Sequence, residues 1–542
     1  YCKPKSYHVM GFANGLYVYD NLPYIRDLPL IDKFFLNLKK NYHKFLLKKN
    51  ADLYIVQTDD MKKELSFVLN YALNKGFQIH PDAFKILDDI TDVKKLEKII
   101  KEIVKEKTKQ KLFQINQDDL ETYLGIKDDP NLLNEMKILS DPTDKITSGE
   151  GVKGYNALFS SRFNKLKRII SDRPESKLIK SISVVKTTKL ENDVYVCGLV
   201  TMRNAERNIT KLVLEDPSGS FEGIIFDDEL QKTAGTLLID QFVMARVASA
   251  KNSGLMIKDL IFPDIPDQKI NKSESEVYAV FLSDLHIGSK YFMEKELTEF
   301  VTWLSSPDPV ARKIRFVLIG GDIVDGVGIY PNQNKELICQ TIEEQLQKAV
   351  NLLDKIPKNV KIIIMPGNHD PGRRALPQPA IPQKYNSDLW NRENIEMVGN
   401  PALVSLNGVK VLMFHGQSID DIVKTTPGLS YDRPTDVMKN LLRARHLSPI
   451  YGSATPIAPE VEDLLVIEDI PDIFHVGHVH KAQLDMYKGI LLVNSGSWQK
   501  QTPFQASVGM VPNPGLAIIV NLKTFQVFHE NYSSNSNNVL QS

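Results

Sequence analysis

The sequence predicts an α/β domain in its second half, preceded by a small β-barrel and, before that, a helical module. Three observations predict it. Five short apolar, β-rich runs between residues 277 and 476 each lead into a turn carrying Asp, Asn or His, the pattern of buried strands joined by loops. Five further β-rich runs fall within residues 176–272. Residues 61–125 instead carry apolar residues at helical spacing, as at Leu65, Val68, Leu69, Ala72 and Leu73.

Composition bounds the rest. A length of 542 residues implies roughly two to four domains. The hydrophobic fraction of 42% and charged fraction of 25% are those of a soluble globular protein. Lys+Arg and Asp+Glu balance at 67 each, so any nucleic-acid contact must come from local patches rather than a global field. Cys2, Cys197 and Cys339 are too few and scattered for a disulfide framework or a zinc ribbon, and a reducing cytoplasm is the expected setting. No run of about 18 apolar residues is present, so no membrane span is expected.

Along the chain, residues 1–60 carry no pattern that assigns them, and Met61 reads as a more natural start than Tyr1. The stretch Leu36–Lys49 interleaves five lysines with Phe and Leu and reads as a basic amphipathic helix. Residues 61–125 form the helical module, with Asp92–Ile100 continuing the amphipathic pattern. Residues 126–175 are a linker and a basic helix. Pro130, Pro142, Gly149, Gly151 and Gly154 mark the linker, the helix runs from Asn156 to about Ile170, and Pro174 stops it. Within 176–272 the expected strands are Val194–Val200, Lys211–Glu215, Phe221–Phe226, Phe242–Val247 and Leu255–Ile257, with Asp216-Pro217-Ser218-Gly219 as a turn. Five strands of this size suit an OB-fold barrel. Residues 273–530 hold the α/β domain, and the Asn- and Ser-rich residues 531–542 read as a disordered tail.

The α/β domain carries the chemistry. Val277–Leu282 leads to Asp284 and His286, which an extended backbone would point to one side. Phe316–Ile319 leads to Gly320-Gly321-Asp322, Lys361–Met365 to Asn368-His369-Asp370, Val409–Phe414 to His415, and Ile473–Val476 to His478-Val479-His480. Each fragment alone is ordinary turn chemistry. Together, in this order and each behind an apolar run, they predict a site at the carboxyl ends of strands. Carboxylates, an amide and imidazoles suit two divalent cations, which in phosphoesterases lie roughly 3.5–4 Å apart. Asp322 suits a bridging position because a carboxylate has two oxygens. His8, His43, His80 and His529 lie outside any such context, and His475, inside a strand, reads as structural.

The order Asp-x-His, Gly-Asp, Gly-Asn-His-Asp, His, Gly-His-x-His resembles the calcineurin-like metallophosphoesterases. Flanking strings narrow the resemblance to the small subunits of archaeal family D DNA polymerases. These are Gly320–Pro331, Pro366–Arg374, Phe414–Asp421, Arg445–Gly452, Asn494–Gln499 and Gln501–Gln505. The resemblance spans approximately residues 61–530. It implies an α/β metallophosphoesterase sandwich preceded by an OB-fold β-barrel and a small helical N-terminal module. It assigns one metal to Asp284, His286, Asp322 and His480 and a second to Asp322, Asn368, His415 and His478, with His369 as general acid rather than ligand. No ligand position departs from the pattern, whereas the related small subunits of eukaryotic replicative polymerases have lost these ligands.

The implied activity is a metal-dependent 3′→5′ exonuclease that edits DNA, partnered by a large catalytic polymerase subunit. Its DNA would be a primer-template or a single-stranded 3′ end. The implied cofactors are two divalent cations, Mn²⁺ first, with Fe²⁺ or Zn²⁺ as alternatives. A non-catalytic scaffold subunit and a free-standing repair nuclease or phosphatase are the competing readings. Arg373, Arg374, Arg443 and Arg445 are candidate DNA-backbone contacts.

Overall fold

The structure, a computed structural model, describes residues 45–49, 52–56, 61–80, 83, 87, 93–109, 111–123, 134–249, 254–306, 308–507 and 509–533. The chain divides into two compact units, Tyr1–Pro130 with Ser305–Arg312, and Asn131–Leu304 with Lys313–Ser542.

In the first unit the expected helices are present as Met61–Asn74 and Val93–Lys109, followed by Gln117–Tyr123. Val68, Leu69, Ala72, Ile99, Ile100, Ile103 and Leu120 form their shared core. Leu73 departs from expectation and is exposed. Two two-residue strands, Gln78–Ile79 and Gln114–Ile115, pair in parallel. The stretch Leu36–Lys49 is not a helix in its described part. Phe45–Lys49 is a strand paired antiparallel with Asp52–Val56, because the β-rich run Leu53-Tyr54-Ile55-Val56 offers a partner that outweighs a weak helical period. Residues 36–44 lie outside the described residues.

The second unit holds the barrel and the sandwich. Val194–Ala205, Thr210–Asp216, Gly219–Ile225, Phe242–Ser249 and Leu255–Ile261 close into a five-stranded barrel. Leu255–Ile261 pairs with both Gly219–Ile225 and Phe242–Ser249, which completes the ring. Alternate residues fill it, among them Val196, Val200, Leu212, Leu214, Val243 and Val247. The expected turn forms, with Ser218 N–H donating to Asp216 Oδ1 at 2.7 Å.

The sandwich packs two six-stranded sheets. In the first, Ile395–Met397, Lys361–Met365, Ile314–Gly320 and Tyr278–Leu282 run parallel, and Leu516–Asn521 and Val527–Asn531 continue antiparallel. In the second, Val409–Phe414, Ile473–Val476 and Ile490–Ser495 are parallel neighbours. Phe281, Phe316, Leu318 and Ile363 of the first sheet share a core with Val404, Val411, Met413 and Val493 of the second. Val280, Val317, Ile319 and Ile364, on the opposite face, are equally buried. Burial on both faces explains why these strands read as continuous apolar runs rather than alternating ones.

The linker expected before the basic helix is part of this sheet. Met136–Ser140 is its edge strand, antiparallel to Ala402–Leu406. Its side chains are mostly exposed, so backbone pairing rather than an apolar pattern orders it, and the sequence carries little trace of that. The basic helix spans Gly151–Ile169. At the carboxyl end, Val527–Asn531 is paired and residues 534–542 lie outside the described residues. No helix among the described residues is long and apolar enough to cross a membrane.

Candidate metal centre

Four of the five strands expected to deliver a site residue end where the sequence places them, and the one expected to stop at Ile319 runs one residue further, to Gly320. The five finish at Leu282, Gly320, Met365, Phe414 and Val476. Parallel neighbours in each sheet bring these ends to one side. The local backbone differs from the extended reading of Asp284 and His286. Both are left-handed, with φ of 52° and 50°, and so are Asp322 at 51°, His478 at 70° and His480 at 55°. Each such residue costs roughly 1–2 kcal/mol, and five together are held only because the surroundings over-determine them. Asp284 N–H donates to Gly321 O at 2.9 Å and His286 N–H to Asp322 O at 3.0 Å. His478 N–H donates to Asp284 Oδ2 and His369 N–H to Asp322 Oδ1, both at 2.8 Å. Gly477 is required by crowding: a Cβ there would lie 2.5 Å from both Asp284 Oδ2 and Ser283 Oγ.

The side chains converge in two overlapping groups. In the first, His286 Nε2 lies 3.0 Å from His480 Nε2, and Asp284 Oδ1 lies 3.4 Å from His480 Nε2 and 3.9 Å from His286 Nε2. In the second, His415 Nε2 lies 2.9 Å from Asn368 Oδ1 and 3.4 Å from Asp322 Oδ2. Asp322 Oδ2 is also 3.9 Å from His286 Nε2 and 4.0 Å from His369 Nε2, so it stands between the groups. His478 is brought to the same place, its ring centroid 5.1 Å from that of His415, but its Nε2 faces Asp420 Oδ2 at 3.3 Å.

The electrostatics fit cations. Asp284 Oδ1 is buried without a hydrogen-bond partner, a costly state unless a positive centre satisfies it. Burial alone would raise the Asp284 carboxyl, but the His480 ring beside it brings it down to about 2. Burial would likewise raise Asp322, and His415 and His369 outweigh it, holding that carboxyl well below its ordinary value. Burial pulls His286 and His415 down, yet the carboxylates around them lift them to about 9 and about 10. At His369 and His480 burial prevails and lowers them instead. The oxygen and nitrogen donors of the group, without thiolate, suit Mn²⁺, Fe²⁺ or Zn²⁺.

Several supporting residues escape sequence reasoning. Asp325 Oδ1 lies 3.1 Å from His286 Nδ1, and its carbonyl accepts from His369 Nδ1 at 2.7 Å. Gln333 and Gln499 donate to the two oxygens of that carboxylate, at 2.9 and 3.0 Å. Gln505 Nε2 lies 2.8 Å from His480 Nδ1, and Gly320 O lies 2.9 Å from His415 Nδ1. Partners on the far ring nitrogen fix a ligating histidine's orientation. Asp325, Gln499 and Gln505 lie within strings that carry the resemblance, but nothing in the sequence gives them a role, and Gln333 carries no signal.

Three of the four candidate arginines are engaged in the fold instead. Arg373 pairs with Glu460 at 2.6 Å. Arg443 stacks 3.6 Å over the Phe262 ring, and Arg445 is buried, donating to Ile467 O and Glu468 O. Arg374 alone of the four is exposed. His475 is structural as expected, buried and 3.0 Å from Ser495 Oγ.

Comparison with known proteins adds an identity to this geometry. The family model for the B subunits of DNA polymerases alpha and epsilon matches residues 279–484. The DNA polymerase II small subunit of Archaeoglobus fulgidus is 42% identical over 386 residues, 70% of this chain and 77% of that protein. That of Methanothermobacter thermautotrophicus is 38% identical, covering 71% and 81%. That of Thermoplasma acidophilum is 30% identical, covering 92% and 99%. The chain belongs to the family of archaeal DNA polymerase II small subunits, those of the family D polymerases.

Proposed function

We propose that this chain is the metal-dependent 3′→5′ exonuclease of a two-subunit DNA polymerase, editing a growing DNA end. The observation that carries the reading is Asp322 Oδ2, flanked by His286 on one side and His415 on the other at 3.9 and 3.4 Å. Asp284, His286, Asp322 and His480 would hold one divalent cation, and Asp322, Asn368, His415 and His478 a second. Bound there, Mn²⁺, or Fe²⁺ or Zn²⁺, would supply charge neutralisation and a more acidic water. Its small-subunit relatives imply a separate large catalytic subunit, which this chain would join. The barrel's strand order, with its first strand between its second and fourth, supports an OB-fold.

The chain's own residues explain the rest. His369 donates through Nδ1 to the Asp325 carbonyl, which leaves Nε2 to face Asp322 Oδ2 at 4.0 Å. It would give a proton from Nε2 as the imidazolium, a form that burial disfavours, lowering the group from its ordinary value, and that the Asp322 carboxylate favours. Water attacks the terminal phosphorus and loses a proton to solvent, and the bond to the 3′ oxygen of the preceding nucleotide breaks with its electron pair left on that oxygen. His369 Nε2–H protonates that oxygen and is reprotonated from solvent. A nucleoside 5′-monophosphate leaves and the strand keeps a 3′ hydroxyl.

Digestion of 3′-labelled and 5′-labelled DNA by the full chain with Mn²⁺ tests this. The reading expects immediate release of the 3′ label, a shortening ladder from the 5′-labelled strand, and loss of both in His369→Ala with metal content kept. Early release of the 5′ label, or no cleavage by the wild type, would overturn it.

A further inference from the structure

Next in sequence to a glutamine that contacts His480 is an aromatic side chain that the chemistry above does not use. Residues Pro503–Ser507 form a single helical turn pinned by two inward residues. Thr502 N–H donates to Gln505 Oε1 at 3.0 Å, Gln505 N–H donates to Thr502 Oγ1 at 3.2 Å, and Gln505 Nε2 reaches His480 Nδ1 at 2.8 Å. Met510 N–H donates to Gln505 O, and Gln501 Nε2 to Met510 O, closing a lobe of residues 501–507 and 509–510. Phe504, one residue from Gln505, is 67% exposed, more than any other aromatic side chain among the described residues. Val511, at the end of the lobe, is 62% exposed. Lys481 follows His480 directly and is largely buried, with Nζ 3.4 Å from Val511 O and 3.5 Å from Asp432 Oδ1, and Lys500 precedes the lobe with an exposed side chain whose Nζ lies 3.9 Å from Glu296 Oε1.

We infer that Phe504 is a stacking platform for the base of an unpaired 3′-terminal nucleotide. The inference rests on the nuclease reading and adds substrate selection to it. A phosphodiester that reaches His480 brings its base towards the lobe that Gln505 anchors to the His480 ring. Stacking tolerates every base because each has a π-face, as an enzyme that removes any terminal nucleotide requires. A base paired within a duplex is already stacked on its neighbour and cannot be offered to the ring, so the platform favours frayed ends.

The test compares wild type, Phe504→Ala and Phe504→Trp as full chains with Mn²⁺. Substrates are a single-stranded 5′-labelled oligonucleotide, the same strand with an abasic last residue, and a matched duplex. Phe504→Ala is expected to raise KM on the normal single strand about tenfold with kcat within about twofold. That penalty should vanish on the abasic end, Phe504→Trp should restore KM, and the metal content should equal that of the wild type. Equal KM for Phe504→Ala and wild type on the normal strand would overturn the inference, as would an equal penalty on the abasic end. If the wild type cleaves nothing, the nuclease reading fails. Fluorescence anisotropy of the normal and abasic-ended strands on the Mn²⁺-loaded chains then decides the platform separately: weaker binding of the normal strand by Phe504→Ala supports it, and equal binding removes it.

Discussion

His478 Nε2 faces Asp420 Oδ2 at 3.3 Å, so the other ring nitrogen, Nδ1, is the one left for a cation. Asp420 lies in the first turn of the helix Ile419–Thr425, directly after the strand and loop that deliver His415. The pair therefore ties two of the proposed ligands to one helix. Carboxylate partners of ligating histidines typically contribute 10–100-fold in metal affinity. Asp420→Asn is expected to weaken one of two Mn²⁺ sites by about that factor, read by titration calorimetry of the metal-stripped chain, with little change in Tm.

Gly477→Ala tests the crowding beneath the site. The added methyl would meet Asp284 Oδ2 and Ser283 Oγ at 2.5 Å, and neither lies at the end of a flexible side chain. Overpacking of this kind costs roughly 1–3 kcal/mol. The expected outcome is a lower Tm together with reduced Mn²⁺ content. A variant as stable and as metal-rich as the wild type would show that Asp284 can shift freely.

A buried ion network away from the centre governs stability. Arg162, fully buried on the basic helix, donates from Nε to Asp463 Oδ2 at 2.8 Å and from Nη1 to Pro449 O at 2.7 Å. His446 Nε2–H donates to the same Asp463 oxygen at 3.0 Å, while its Nδ1 accepts from Ser448 N–H. Removing one partner strands a buried charge, so Asp463→Ala is expected to destabilise this unit by about 3–5 kcal/mol, measured by urea unfolding.

The same network predicts a pH dependence. Burial, with the Arg162 charge second, lowers His446 to about 4 from its ordinary 6.5. The unfolded chain therefore binds this proton more readily, and the stabilisation present above pH 6.5 declines as pH falls towards 4. His446→Gln should flatten that part of the stability curve. An unchanged curve between pH 6.5 and 4 would remove His446 from the account.

The sandwich and its ligands were legible because strands buried on both faces are continuous apolar runs and each ends directly in a polar turn. Lys361–Met365, Val409–Phe414 and Ile473–Val476 have the boundaries that the pattern predicts. What escaped depends on long-range contact. Met136–Ser140 is ordered by pairing with a strand more than 260 residues away. Phe45–Lys49 found a hairpin partner that its lysine pattern did not announce. Arg373, Arg443 and Arg445 look like free cations in sequence, yet their guanidinium groups meet Glu460, Phe262 and backbone carbonyls. The left-handed backbone of five site residues is also invisible in residue type, since none of them is glycine.

Mn²⁺ titration of the metal-stripped full chain, with elemental analysis of the loaded protein, tests the central claim most directly. The account predicts two cations per chain in the wild type and loss of both in Asp322→Ala, the residue shared by the two groups. A wild type that binds no divalent cation, or an Asp322→Ala variant that still binds two, would contradict it.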